Sequence, residues 1–182
     1  MPYSGATEFV GREEDLKQLH EQLQQSNTVA ISAISGMGGI GKTELALQYA
    51  LKHLELQTYS GGICWLRARE NIGTQLVSFA RLDNLEPPEQ LGLLEQVQWC
   101  WRHWREGEVL VILDNVQDYQ SLKPFLPPPE LRFKRVLTTR QTFGSPVRNF
   151  EIKVLTEDAA LNLLRTYPTN KICATKLKLI EN

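Results

Sequence analysis

TVAISAISGMGGIGKT, from Thr28 to Thr43, decides the fold of this chain. Its first half, Thr28 to Ile34, is rich in β-branched and small apolar residues and has the length of one strand. Its second half crowds Gly36, Gly38, Gly39 and Gly41 ahead of Lys42 and Thr43, and beyond it Leu47, Ala50, Leu51 and Leu54 fall on one face of a helix. Strand, glycine loop and helix come in that order. Gly36 to Thr43 fits the spacing GxxxxGK followed by Ser or Thr. There the glycines let successive backbone N–H groups turn inward around phosphate oxygens with no Cβ in the way. The amino end of the helix adds positive potential. Lys42 would set a point charge on the β and γ phosphates, and the Thr43 hydroxyl would ligate Mg²⁺, whose small octahedral shell prefers hard oxygens.

Upstream, Glu13 to Gln25 reads as a short amphipathic helix with Leu16, Leu19 and Leu23 on one face. Downstream, Gly61-Gly62 opens a second strand, Ile63 to Ala68, and a further strand-helix unit is expected from Asn71 to Arg81. Pro87-Pro88 then breaks the chain before a helix from Glu89 to Arg105, with an apolar stripe of Leu91, Leu94, Val97, Trp101 and Trp104. Val109 to Leu113 is a continuous apolar run, as a strand buried on both faces requires, and Asp114 closes it. A short helix, Tyr119 to Leu126, stops at Pro127-Pro128-Pro129. Arg135 to Thr139 makes a fourth strand ending at Arg140, and Phe150 to Leu155 a weaker fifth. Thr156 is suited to cap a helix from Glu157 to Arg165. Strands alternating with helices imply an α/β domain with a parallel sheet and ligands at the carboxyl ends of its strands.

Two further residues stand at such ends. Asp114 could reach the Mg²⁺ held by Thr43, although an Asp-Asn pair at a strand end equally makes an Asx turn or a helix cap. Arg140 could place a planar guanidinium on a γ-phosphate, or simply be solvated. His20, His53 and His103 lie in helical segments without spaced partners, so surface or packing roles are expected. Trp65, Trp99, Trp101 and Trp104 are expected in the core rather than stacked on bases. The 20 basic and 21 acidic residues give a net charge of −1, so no overall field favours DNA, RNA or an anionic membrane. The three cysteines, Cys64, Cys100 and Cys173, are far apart and form neither a disulfide framework nor a zinc site. No apolar run approaches a membrane span and the start lacks the plan of a secretion signal, so a cytoplasmic protein is expected.

Four motifs in order resemble the NB-ARC group of STAND NTPases, which are nucleotide-driven signalling switches. Phe9-Val10-Gly11-Arg12-Glu13 resembles that family's opening element and GMGGIGKT its phosphate loop. Leu110 to Val116 (LVILDNV) resembles its Walker B strand, and Arg135 to Arg140 (RVLTTR) its sensor strand. The resemblance implies a three-layer α/β/α P-loop NTPase with a mostly parallel five-stranded sheet, and it implies ATP or ADP with Mg²⁺ as cofactors. Adenine over guanine rests on it alone. Val10 and Arg12 would lie near the adenine. Gly36, Met37, Gly38, Gly39, Ile40, Gly41, Lys42, Thr43 and Glu44 would hold the nucleotide, and Thr43 and Asp114 the metal. Lys42, Asp114, Asn115 and Arg140 would serve any hydrolysis. Residues 1–27 would carry the opening element, 28–167 the core, and 168–182 a frayed or truncated tail.

The chain departs from the family's pattern in two ways. Asn115 stands where many relatives have a second acid, and an amide cannot take a proton, so hydrolysis is expected to be slow or conditional. The chain also stops before the family's helical and winged-helix segments, so its partners are expected to be other protein domains or a full-length relative. Two other readings stay open: a truncated fragment that binds nucleotide weakly, and an AAA+-type ATPase acting on nucleic acid.

Overall fold

The computed structural model describes residues 9, 11–33 and 39–166. Its elements in chain order are α1 (Glu13–Gln25), β1 (Thr28–Ala33), α2 (Lys42–Glu55), β2 (Gly62–Arg67), α3 (Ile72–Leu82), α4 (Leu93–Arg102), β3 (Val109–Val116), α5 (Tyr119–Leu122), β4 (Phe133–Thr139), β5 (Arg148–Ile152) and α6 (Glu157–Thr166). The five strands form one sheet in the order β2-β3-β4-β1-β5, and every neighbouring pair is parallel. β1, which feeds the glycine loop, therefore lies between β4 and β5.

Alternation along the strands divides the apolar residues between two faces. On one, Val29, Ile31, Leu110, Ile112, Val136 and Ile152 pack with α1 through Leu16, Leu19 and Leu23 and with α2 through Leu45, Ala46, Tyr49 and Ala50. On the other, Ala30, Val111, Leu113, Phe133 and Leu137 meet α3 and α4, with Trp101 and Trp104 filling the layer between. Helices on both faces of a parallel sheet make the three-layer α/β/α architecture.

Several expected boundaries move, each for a local reason. The segment from Asn71 holds no strand. Asn71 Oδ1 accepts from Thr74 N at 3.0 Å and starts α3, and the Gln75 side chain hydrogen bonds to both Arg67 N and Arg67 O, taking the backbone groups a further strand would use. The helix expected from Glu89 begins only at Leu93, because Glu95 Oε2 accepts from Gly92 N at 2.8 Å and closes the first turn there. Its stripe is shorter too: Leu94 is 40% exposed, and Trp104 lies past the helix end but is buried, donating Nε1–H to Gly61 O at 3.0 Å.

On α2 the buried face runs through Leu45, Ala46, Tyr49, Ala50 and His53, while Leu54 is 54% exposed. Fourteen helical residues span about 21 Å, as long as a six-residue strand, so the last turn sits at the rim of the sheet. β3 does not stop at Asp114 but continues to Val116. Cys64 and Cys100 are free and buried, and Cys173 lies outside the described residues. Among the described residues no helix is long and apolar enough to cross a membrane.

Candidate functional site

The carboxyl ends of β1, β3 and β4 meet the amino end of α2. Gly36, Met37 and Gly38, with Val10, lie outside the described residues. Past them the loop closes through glycine: Gly39 and Gly41 take φ of +77° and +97°, a left-handed backbone that costs a glycine nothing. Gly41 is the N-cap of α2, and no side chain hydrogen bonds across that cap. The first-turn amides of α2 therefore face the loop, as an anion site at a helix amino end requires. Glu44 sits in that first turn and accepts from Gln48 Nε2 at 2.8 Å.

Thr43 and Asp114, 71 residues apart, meet directly: Thr43 Oγ1 donates to Asp114 Oδ1 at 2.8 Å. Asp114 is 5% exposed. A hydroxyl and a carboxylate at that distance are the hard-oxygen donors that Mg²⁺ takes, so the residues present fit that ion. Lys42 lies one residue before Thr43, and its ammonium is held below the ordinary lysine range by burial and then by the positive charge of Arg140. Two cations from α2 and the end of β4 thus converge on one region, the arrangement expected around a polyanion.

Asn115 is exposed, with φ of +65°, and its N–H donates to Thr138 Oγ1 at 2.8 Å. Thr138 was not singled out in the sequence, yet its hydroxyl also reaches Asp114 Oδ1 at 2.6 Å. The signal that could have found it was the pair of hydroxyl residues, Thr138 and Thr139, at the carboxyl end of a buried strand. Arg12 is 7% exposed and ties three segments together: it reaches Asp15 Oδ2 at 2.8 Å, and Ile40 O and Lys153 O at 3.0 Å each. It holds the end of the glycine loop against the chain leaving β5. Beside it, Gly11 has a φ of +75°, and a Cβ there would come within 2.6 Å of Ala159 Cβ, so α6 closes on the opening motif through a glycine. A separate cavity of about 340 Å³ opens past the ends of β2 and β3, lined by Ala68, Arg69, Gln117, Asp118, Ser121 and Leu122. None of the candidate site residues lines it.

The family model of the NB-ARC domain matches residues 12–172. This chain belongs to the NB-ARC domain family. Probable disease resistance protein RF45 of Arabidopsis thaliana is 27% identical over 189 residues, covering 96% of this chain and 18% of that protein. Disease resistance protein RPP8 of the same plant is 28% identical over 146 residues, covering 76% of this chain and 16% of its own length. The chain thus spans less than a fifth of these curated relatives.

Among solved structures, a Walker-type ATPase of Pyrococcus abyssi superposes with a TM-score of 0.58 at 14% identity, covering 91% of this chain and 60% of that one. The ORC2 protein of Aeropyrum pernix, solved as ADPNP-ADP complexes, gives 0.56 at 15% identity, covering 83% and 50%. Those two likenesses show the P-loop NTPase fold alone.

Proposed function

We propose that this NB-ARC chain is the nucleotide-binding switch module of a signalling NTPase, binding ADP or ATP with Mg²⁺ and hydrolysing ATP slowly or conditionally. The observation that carries the reading is the 2.8 Å hydrogen bond between Thr43 and Asp114, which joins the phosphate loop to the carboxyl end of β3. Thr43 and Asp114 would hold Mg²⁺, which neutralises charge on the β and γ phosphates when bound. Lys42 supplies a point charge to the same phosphates. Arg140, exposed at the end of β4, distinguishes a nucleotide with a γ-phosphate from one without. The first-turn amides of α2, with Gly36 to Gly41, enclose the phosphates, and Val10 and Arg12 lie toward the adenine, where Arg12 also sets the position of Ile40 through its carbonyl.

Asn115 can orient a water through its amide but cannot accept its proton, which keeps hydrolysis slow. Residues 1–27, 28–167 and 168–182 serve in this reading as opening segment, core and tail, with α1 packed into the core it precedes. The disease resistance named for the relatives supports a signalling role; the cytoplasm as its place, and other protein domains or a full-length relative as partners, belong to the same proposal.

The test is to purify the protein, release whatever it carries by denaturation, identify it by chromatography, and titrate the emptied protein with Mg·ADP and Mg·ATP. Co-purified adenine nucleotide, or binding of either complex, is expected. An empty site that ignores both complexes would sink the reading.

A further inference from the structure

Between Leu113 and Val116 the β3–β4 ladder slips. Leu113 faces Leu137 and Val116 faces Thr139, so Asp114 and Asn115 together stand opposite Thr138 alone. A bulge of this kind leaves an extra residue unpaired, turns the longer strand and re-aims its side chains. Asn115, at φ +65°, sends its N–H to Thr138 Oγ1 at 2.8 Å. That hydroxyl in turn donates to Asp114 Oδ1 at 2.6 Å, the same oxygen that accepts from Thr43 at 2.8 Å. A hydroxyl has one proton to give and lone pairs to receive. Here the proton goes to the carboxylate and a lone pair to the bulged amide. Thr138 is 2% exposed, so bulk water does not compete for either role.

We infer that Thr138 is a positioning residue for the metal: its hydroxyl clasps the bulge and aims the Asp114 carboxylate at Thr43, raising affinity for Mg²⁺ without touching ion or nucleotide. The arrangement also explains Asn115 in a second way. A left-handed residue is needed at the bulge, and asparagine is among the few side chains that tolerate it. Asn115 therefore serves the backbone whatever it does to water.

The inference rests on the Mg-nucleotide reading above, and the two fail differently. The readout is the ratio of ADP affinities with Mg²⁺ and with EDTA, measured by titration calorimetry, so hydrolysis does not enter. Thr138→Val, close to isosteric, is expected to lower that ratio about tenfold, the scale seen when a group that orients a metal ligand is lost. Thr138→Ser keeps the hydroxyl and is expected to restore the wild-type ratio. Asn115→Val changes an exposed side chain but disfavours the left-handed backbone, and should lower the ratio with Thr138 intact. A wild-type ratio in Thr138→Val, or a serine variant as impaired as the valine one, overturns the positioning role. Should Thr138→Val not fold, Asn115→Val decides, and a wild-type ratio there overturns it equally. A wild-type protein that binds ADP with no response to Mg²⁺ removes the metal reading and this inference with it. A Mg²⁺ response in the wild type that every variant matches at the wild-type ratio removes this inference alone.

Discussion

The two ends of the sheet both gather cations, and they treat them in opposite ways. At the amino end, Arg135 is 9% exposed and donates to Pro127 O and Pro128 O at 2.8 and 2.9 Å, with Thr28 Oγ1 at 3.5 Å. Lys134, 5% exposed, donates to Asn27 Oδ1 at 3.0 Å. These charges fasten the loop before β4, and the loop between α1 and β1, to the strands. At the carboxyl end, burial and then the positive charge of Arg140 hold the Lys42 ammonium below the ordinary lysine range. A cation closed by the chain's own carbonyls holds the fold. Cations pressed together at the mouth of a glycine loop are placed for something that arrives.

The sharpest way to break that contrast is Lys42→Ala. It should weaken Mg·ADP binding on the order of a hundredfold or more, read by calorimetry, as truncating one partner of a desolvated charge pair does. The unfolding midpoint of the emptied protein should change little beside that loss, because Lys42 is only half-buried at the rim of the sheet. A variant that binds like the wild type would put Lys42 among the structural cations. Next in size is Arg135→Met, which leaves the Pro127 and Pro128 carbonyls without their donor and should cost about 2 kcal/mol of stability. Thermal melting reads this as a drop of several degrees, with Mg·ADP affinity retained below the transition. A loss of affinity matching that of Lys42→Ala would erase the distinction between the two ends.

The smallest effect lies in the seam between α1 and α2, where a buried cation is avoided altogether. His53 is 7% exposed, with Nδ1 2.8 Å from Thr58 Oγ1 and its ring stacked on His20 at 4.7 Å, beside Tyr49 and Tyr59. Burial first, then His20 and Lys52, push its pKa down to about 4. The unfolded chain binds the proton near pH 6.5, so between these values it carries more protons than the folded one. The seam's contribution is complete above about pH 6.5 and is lost as pH falls toward 4, by roughly 1 kcal/mol or more at pH 5. Urea midpoints at pH 7 and pH 5 should fall further in the wild type than in His53→Gln. Equal falls would mean His53 already sits where it can take the proton.

How much was legible differs along the chain for physical reasons. Val109 to Leu113 announced a buried strand by composition alone, and Leu16, Leu19 and Leu23 announced the face of α1, since burial periodicity is a local property of the sequence. The helix from Leu93 was overextended because an apolar stripe does not reveal which N–H a glutamate side chain will cap. Thr138 was passed over because its partners lie 23 and 24 residues away on another strand. Arg12 was read through a motif toward adenine, whereas its bonds to Ile40 and Lys153 depend on where β5 ends.

By itself, then, the sequence determined the glycine loop, the alternation of strands and helices, and the acid, lysine, threonine and arginine at its punctuation points. These arise from side-chain size, backbone freedom and charge, all present before folding. Only the tertiary structure decided that Asp114 and Asn115 oppose Thr138 alone, that Asp114 meets Thr43, and that Lys42 feels Arg140. Strand register and the convergence of loops are set by packing between distant segments, and no single stretch of sequence carries them.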